Sequence, residues 1–584
     1  MGRKSTSELS RRNILAGLGA AAGAAAVMDV QPAAAADSPE KWDQATDVVC
    51  VGSGAAGCSA AVFAADHGAK VILLEKAPIL GGTTLKSGGV AWVPNNPVMR
   101  AKGFQDPKED AVKYMCRFSF PESYRADHPT LGLDPMAYRK IEALYDNGGP
   151  MVDRLKELGI VEFLLFAQND KPPADYADHL PENKAPHGRA LVLGENGQAI
   201  HGGIGDGLKL ISKLEAYLRS KNMPVLTEHR VTRLVMENGR VVGVEADSGG
   251  KTVRIRANKA VIFGTGGFAH NLDFIQLYQK FLYGSCAQGG AVGDFVTIAS
   301  RIGAQIANMQ SAWRTQVVLE QALENRIVGA GAFFLPADSM VMVDGRGKRV
   351  VNEKRDYNDR TKVHYTYDPT SESYPNQFLY MIWDSRSMDA FGGDFPIPAD
   401  PRSVKYLIEG ADLAALSAAI QQRLTALEPK LGPVALDPGF AESLKATVAR
   451  FNEFAKKGVD EDFHRGKQAY DRDWQVFFSA MREGTKQPKN PMPNETMHPL
   501  ADKGPYYAVI LAAGALDTNG GPMTNEKAQV LDADGKVIPG LYGAGNCIAS
   551  PTREAYYGAG GTIGPGMTYG YIAGMNAAKE GEHA

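Results

Sequence analysis

The sequence predicts an α/β protein, a Rossmann-like nucleotide-binding domain interrupted by an inserted α+β domain. Three observations predict it. A complete strand, glycine-rich turn, helix and second strand occupy residues 46–76. Two further apolar runs, 260–263 and 540–543, also end in glycine clusters. Between them, from about Trp313 to Asp517, the texture changes to mixed helical segments before the glycine-rich pattern returns at Thr518. Alternating strand and helix patterns imply a parallel sheet, and the interruption implies a second domain.

The run Val48-Val49-Cys50-Val51 is continuously apolar, as a parallel strand buried on both faces must be. It enters Gly52-Ser53-Gly54-Ala55-Ala56-Gly57 directly. Helical sequence follows to His67, then the apolar run 70–74, then Glu75-Lys76. This is a dinucleotide fingerprint in register. Gly52 permits the tight turn, Gly54 lets a pyrophosphate approach the backbone, and Gly57 lets the helix pack on the strand. The helix start offers free N–H groups and a positive dipole end to phosphates. Glu75 is placed to accept hydrogen bonds from a ribose. The unit alone does not separate FAD from NAD. FAD is favoured by the next segment, Gly81-Gly82-Thr83-Thr84-Leu85-Lys86-Ser87-Gly88-Gly89. Its glycines and hydroxyls can wrap phosphates and a flavin edge with backbone N–H groups, well beyond the first turn.

The chain of 584 residues is long enough for two or more domains with substantial cores. A net charge of -3 gives no electrostatic case for nucleic acid or an acidic membrane surface. Five scattered cysteines, Cys50, Cys58, Cys116, Cys286 and Cys547, include no C-x-x-C. This argues against a disulfide framework, a zinc site or an attached haem, and the thiols are expected to be free and buried. Residues 1–36 read as a twin-arginine signal: Ser10-Arg11-Arg12-Asn13-Ile14-Leu15, a mild apolar stretch to Val27, and Ala33 to Ala36 before Asp37. The stretch is too short to span a bilayer, so no transmembrane span is expected. The expected location is the periplasm, or otherwise outside the cytoplasm by the same route. That route carries folded proteins, which suits one loaded with a cofactor.

The expected domains are 44–312 and 518–581 for the two parts of the FAD-binding domain and 313–517 for the insertion. Residues 104–160 read as helical, with Gly148-Gly149 as a helix stop and a separate short helix over 151–158. Residues 163–189 are polar and proline-rich, an irregular segment of the kind that often forms site loops, and Tyr176 lies in it. Glycine-rich 202–207 opens a helix over 208–218. Hairpin signals at Asn238-Gly239 and Gly249-Gly250 organise strands from Val231 to Arg256. A strand then runs into Gly264-Thr265-Gly266-Gly267, and Gly293-Asp294 starts another helix. In the insertion, 340–353 reads as a hairpin, and 413–427 and 443–457 as helices. The strand 540–543 ends at Gly545-Asn546, and the last helix starts near Thr562-Ile563 and runs to about Ala577. His201, His364 and His498 are isolated and read as structural, and no metal-ligand spacing appears.

The order of these marks, 52–75, 81–89, 264–267, 345–353, 518–521 and 538–546, resembles the FAD-dependent fumarate reductase and 3-ketosteroid dehydrogenase superfamily. Two stretches resemble its 3-ketosteroid Δ1-dehydrogenase branch: residues 451–466, and Tyr556-Tyr557-Gly558-Ala559-Gly560 with Thr562-Ile563-Gly564. The resemblance implies that the inserted domain caps a substrate site. It implies FAD contacts at Gly52, Ser53, Gly54, Ala55, Ala56, Gly57, Glu75, Lys76, Gly82, Thr83, Thr84, Ser87, Gly88 and Gly89. Further contacts fall at Val231, Gly266, Gly267, Asp294, Gly545, Asn546, Thr562 and Ile563. It also implies a site of three tyrosines and one glycine amide. The C-terminal loop supplies Tyr556 and Gly560, and the tyrosine four after Asn352-Glu353 is Tyr357. The third matches Asp175-Tyr176. Where the family often has prolines in the C-terminal loop, this chain has Tyr557 and Ala559. Fumarate-reductase-like members carry an arginine at the position of Tyr357, so a tyrosine implies a ketone rather than a dicarboxylate. Arg355 and Arg360 lie close in sequence.

Desaturation next to a carbonyl removes a proton from the adjacent carbon and a hydride, which goes to flavin N5. Tyr556 O–H and Gly560 N–H can both donate to the carbonyl oxygen as enolate charge develops. Tyr357 would take the proton. A free tyrosine has a pKa of about 10, so it needs lowering or a relay, and a hydrogen bond from Tyr176 would stabilise its phenolate. The start of the last helix would favour negative charge on the reduced flavin. The reading is an exported FAD enzyme that desaturates a cyclic ketone, foremost a 3-ketosteroid at its 1,2-position, and passes electrons to a quinone or other carrier. The alternatives are a smaller cyclic ketone, an enoate reductase of the fumarate or urocanate type with Arg314 in its pocket, and a flavin-binding electron carrier.

Overall fold

In the computed structural model the described residues are 41–168, 171–200, 202–480 and 490–581. The segment expected to be a twin-arginine signal with its cleavage site, and His201, lie outside them. The chain enters β1 (Gln44–Val51), turns into α1 (Ala55–Asp66) and returns in β2 (Val71–Leu74). It continues through α2 (Pro135–Glu157), α3 (Gly207–Ser220), β3 (Val225–Leu226), β4 (Arg230–Glu237), β5 (Arg240–Ser248) and β6 (Lys251–Phe263). Next come β7 (Met340–Val343), α4 (Tyr357–Lys362), β8 (Phe378–Asp384), β9 (Ile408–Gly410), α5 (Leu413–Leu431), α6 (Phe440–Lys457), α7 (Ala469–Ala480) and β10 (Tyr506–Thr518). It closes with β11 (Gln529–Leu531), β12 (Val537–Gly543) and α8 (Ile563–Ala578). Two compact units result. Among the described residues, one gathers those up to Arg314, 468–480 and those from Ala515 on; the other gathers 315–467 and 481–514. The expected insertion, 313–517, differs from the second unit chiefly at α7, which belongs with the first. Among the described residues no helix is long and apolar enough to cross a membrane.

The first unit is built on an eight-stranded sheet whose main path runs β11-β12-β6-β1-β2-β3, with the β4–β5 hairpin attached to β6. β1 pairs in parallel with both β6 and β2, setting Val48 opposite Ala260 and Val71. β6 pairs in parallel with β12, setting Val261 opposite Leu541. Val48, Val49 and Cys50 are fully buried, which is why this run is continuously apolar rather than alternating. The parallel pairing ends β1, β6 and β12 side by side, so the glycine turns at Gly52, Gly264 and Gly545 share one edge of the sheet. That edge, at the carboxyl ends of the strands, is where open α/β sheets bind ligands. α8 returns across α1 at close range: a Cβ on Gly570 would stand 2.5 Å from Ala56 O, and one on Gly574 2.5 Å from Ala60 O.

Two expectations fail in this unit. α2 is one helix through Gly148, Gly149 and Pro150, rather than a helix, a stop and a second helix. The glycines serve close packing there: a Cβ on Gly148 would meet Val93 Cγ1 at 2.9 Å, and one on Gly149 would meet Asn95 O at 3.2 Å. The segment expected to be irregular begins with a strand, Phe163–Leu165, paired with Ala190–Glu195.

In the second unit β7, β8, β9 and β10 pair antiparallel, with Met340 opposite Trp383, Asp384 opposite Tyr506 and Ile408 opposite Ala508. Met342, Leu379, Met381, Trp383, Val509 and Leu511 are fully buried in its core. The expected hairpin over 340–353 is only a tight turn, with Gly347 N–H donating to Asp344 O and one bridge between Val343 and Arg349. The partner of β7 is β8. After the turn, the buried Glu353 carboxylate takes both Arg349 (2.7 Å) and Arg465 (3.5 Å), and Arg349 also binds Asp460 (2.8 Å). Burial pushes the Glu353 carboxyl up, but the Arg349 and Arg465 charges outweigh it and hold it below the usual range. A carboxyl lowered in the fold stabilises it above the unfolded pKa and loses that contribution as pH falls through the folded value. Glu353→Gln should therefore cost about 3–5 kcal/mol near neutral pH. In thermal unfolding the gap to wild type should narrow as pH falls below the ordinary glutamate value of about 4.3.

Candidate active site

The turn after β1 is shaped by backbone contact. Gly52 has φ +94°, and a Cβ there would stand 2.6 Å from Gly264 O. A Cβ on Gly57 would stand 1.9 Å from Gly52 O. Ser53 N–H and Oγ–H both donate to Glu75 Oε2, at 3.0 and 2.5 Å, and Gly81 N–H donates to Ser53 Oγ at 2.9 Å. Ala55 N–H donates to Thr84 Oγ1 at 3.1 Å, so the second glycine loop is tied to the start of α1. Gly82, Thr83 and Thr84 lie in a short 3₁₀ turn, and Thr83 Oγ1 accepts Gln288 N–H. Ser87 Oγ donates to Thr84 O and accepts Gly89 N–H. Gly88 is needed for close packing: its Cβ would lie 2.1 Å from Gly202 O. Val231 is buried in β4, two residues after His229 N–H donates to Glu75 O. Lys76 and Asp294 meet each other, in an ion pair that Arg230 extends.

The glycine ends of β6 and β12 are joined by a residue that sequence reasoning left in the insertion. Asp517 is buried and accepts Gly267 N–H (2.8 Å) and Asn546 Nδ2–H (3.3 Å). Burial pushes its carboxyl up to about 6. Asn546 Oδ1 in turn accepts Trp313 Nε1–H at 2.9 Å. Gly266 and Gly545 both have positive φ, +74° and +76°. A carboxylate inside the long apolar run of β10 is the signal that would have found Asp517.

Tyr556 and Tyr176 come together. Their rings stack at 5.4 Å and 13°, and both are 2% exposed. Trp313 meets Tyr556 edge-on at 5.5 Å. Tyr470 and Trp474, one turn apart on α7, meet Tyr176 edge-on at 5.2 and 5.7 Å. α7 is tied to the Tyr176 loop: Trp474 Nε1–H donates to Ala174 O, and Asp473 accepts Ala174 N–H and pairs with His187. An aromatic pair at i, i+4 on one helix face was its only trace in the sequence. Gly560, four residues after Tyr556, has φ +86°.

In the second unit, the Asp356 carboxylate caps α4 by accepting Asp359 N–H at 2.9 Å. Tyr357 is its first residue, 7% exposed, with Phe333 edge-on at 5.2 Å. Arg360 is buried and donates to Gln316 Oε1 (2.8 Å), Arg355 O (2.6 Å) and Ala332 O (2.5 Å). Arg314, in the first unit, is buried and donates to Gln310 O. His364 is buried against Gln316 and Gln377 O, and burial lowers its pKa to about 4. All five cysteines are buried free thiols.

The residues present suit FAD. Among the described residues, the N–H groups of Gly54, Ala56 and Gly57 donate to no protein acceptor, and neither do those of Gly560, Thr562 and Ile563. The first set opens α1 and suits a pyrophosphate; the second opens α8 and suits an electron-rich ring edge. Glu75 keeps carboxylate capacity for a ribose. Gly57→Ala should therefore separate helix from strand, and protein purified from the variant should have lost most of its flavin absorbance and melt at lower temperature.

The family described as FAD binding domain matches residues 47–563. A 4-oxocyclohexanecarboxylate 2-dehydrogenase of Sinomonas cyclohexanicum is 32% identical, over 91% of this chain and 93% of that protein. A 3-oxosteroid 1-dehydrogenase of Mycolicibacterium smegmatis is also 32% identical, over 92% of this chain and 97% of that protein. The fold is that of the crystal structure of 3-ketosteroid Δ1-dehydrogenase from Sterolibacterium denitrificans in complex with 1,4-androstadiene-3,17-dione. The TM-score is 0.75 at 24% identity, covering 92% of this chain and 100% of that one. The chain belongs to the FAD-binding-domain family, within the fumarate reductase and 3-ketosteroid dehydrogenase superfamily of flavoproteins, and is an FAD-dependent oxidoreductase.

Proposed function

We propose that the chain desaturates a cyclic ketone next to its carbonyl, foremost a 3-ketosteroid at the 1,2-position. The observation that carries this reading is a pair of donors on one loop: the buried Tyr556 phenol, and the Gly560 N–H, which among the described residues donates to no protein acceptor. Both stabilise charge developing on a carbonyl oxygen, in surroundings where aromatic rings exclude water. That stabilisation makes the neighbouring C–H acidic, and Tyr357 is assigned as the group that takes the proton. Tyr176 supports the face of Tyr556. FAD, when bound, supplies the hydride acceptor, and a quinone or other carrier takes the electrons onward. Arg360 speaks against enoate reduction, because its donors are spent on Gln316 and backbone carbonyls. A second substrate reading, a cyclohexanone-sized ketone, is favoured by the 4-oxocyclohexanecarboxylate 2-dehydrogenase relative, as similar in sequence as the steroid enzyme.

Anaerobic addition of 4-androstene-3,17-dione should bleach the flavin absorbance, with 4-oxocyclohexanecarboxylate and fumarate run in parallel. Bleaching by the small ketone alone would keep the chemistry and change the substrate; bleaching by neither ketone would refute it. Tyr556→Phe should keep its flavin and turn over about 10²–10³ times more slowly. We further propose export by the twin-arginine route. Replacing both Arg11 and Arg12 with lysine should retain the protein in the cytoplasm on cell fractionation, and unchanged export would refute that assignment.

A further inference from the structure

The loop that carries Tyr556 and Gly560 runs between them through Tyr557, Gly558 and Ala559. Its backbone is pinned along its length. The Tyr557 ring is fully buried against Trp92 (4.7 Å), and its hydroxyl hydrogen-bonds Ser119 Oγ at 2.7 Å. Tyr557 O accepts Tyr176 N–H at 3.0 Å. At Gly558 a Cβ would lie 2.8 Å from Asp175 Oδ1 and 2.8 Å from Trp92 Cδ1. Gly560 O accepts Trp92 N–H at 3.0 Å.

These contacts converge on Asp175. Its Oδ1 accepts Trp92 Nε1–H at 3.0 Å and its Oδ2 accepts Arg189 Nη1–H at 2.6 Å. Arg189 is itself fixed by Asp106 through two bonds, 2.7 and 2.9 Å, and by Asn183 Oδ1 at 3.0 Å. Arg189, Asp106 and Asp175 are all buried, so the charges face little competing solvent. A group this constrained, packed against the middle glycine of a catalytic loop, has no part in the chemistry assigned above.

We propose that Asp175, locked by Arg189 and Trp92, is a positioning residue for the carbonyl-binding loop. It supplies that loop's rigidity from the side, through contacts with Gly558 and Trp92. Its carboxylate seats Gly558, and the adjacent Tyr176 N–H holds Tyr557 O. Tyr556 O–H and Gly560 N–H are thereby held to one geometry. The inference rests on the proposed function, and its effect belongs on the transition state: a misplacement of about 1 Å at such donors can cost about 10²-fold in rate. The clamp also has a pH limit. Burial pushes the Asp175 carboxyl up to about 6 against the pull of Arg189, and Asp106, Tyr114 and His187 are the other titratable groups around it. The clamp is ionised above that value and loosens below it.

The test compares Asp175→Asn, Trp92→Phe and Tyr556→Phe holoenzymes. The probe is 4-androstene-3,17-dione, or 4-oxocyclohexanecarboxylate if that is the ketone that bleaches the flavin. Wild-type kcat should fall as pH drops through about 6, and Asp175→Asn should keep its flavin, lose about 10- to 100-fold in kcat with little change in KM, and lack that fall. Trp92→Phe, which removes one bond to the same carboxylate, should show the same split more weakly, and decides the matter if Asp175→Asn does not load flavin. Wild-type kcat in both, with Tyr556→Phe impaired, would overturn the positioning role and leave the proposed function standing. Wild-type kcat in Tyr556→Phe would overturn both.

Discussion

The constraint on which the cofactor end of the sheet depends is the contact between Gly57 and Gly52, where a single methyl group would sit 1.9 Å from a carbonyl oxygen. It sets the start of α1 against the end of β1. Because β1 is the central parallel strand, that position propagates sideways: Gly264 is within reach of Gly52, and Gly545 lies beside Ala56. From α1 it propagates outward to α8 through the glycine contacts at Gly570 and Gly574. The N-termini of two helices therefore sit at one end of the sheet, with N–H groups that donate to no protein acceptor among the described residues. A helix start is an anion site only if nothing fills it, and here bulk is excluded by backbone rather than by a removable side chain.

Around that end, three buried carboxylates act as ties. Glu75 joins Ser53 to the segment after β2, Asp517 joins the glycine ends of β6 and β12, and Asp175 joins Arg189 to Trp92. Burying a carboxylate is unfavourable unless donors satisfy it. Asp175 and Asp517 are pushed up to about 6 by that cost. A carboxyl raised in the fold favours folding below its unfolded pKa, and that advantage is lost as pH rises through the folded value. At neutral pH both are sites where stability has been exchanged for a fixed loop geometry, the usual condition of a functional site.

Much of this was visible in the sequence, and the reason differs by element. The first βαβ unit was readable because its strand, glycines, helix and acid follow one another in order, with no long-range information needed. The hairpin strands were readable from Asn238-Gly239 and Gly249-Gly250. β8 and β10 were not, because a continuous apolar run such as 378–383 has no period that separates a buried strand from a buried helix. Gly148-Gly149 misled because a glycine pair can mark a helix end or a close packing partner, and only Val93 and Asn95 decide which. In the candidate site, Tyr556 and Gly560 came from one contiguous loop. Tyr470, Trp474 and Asp517 were missed because each acts with residues hundreds of positions away.

The choice between tyrosine and arginine chemistry turns on where α4 begins. The Asp356 cap sets that start, so Tyr357 occupies the first helical position and Arg360 follows one turn later. Residues three apart share a helix face, so the sequence left either one able to serve. The folded unit separates them by what surrounds each. The Arg360 guanidinium is enclosed by Gln316 Oε1 and the carbonyls of Ala332, Glu353 and Arg355, acceptors that satisfy a cation without carrying a charge to be displaced. Drawing it out to bind a carboxylate would leave those buried carbonyls without donors, at about 1–3 kcal/mol each. Tyr357 is held at its ring by Phe333 and by its place in the first turn. Withdrawal of Arg360 is thus opposed by several hydrogen bonds together, and a carboxylate substrate would have to outbid all of them.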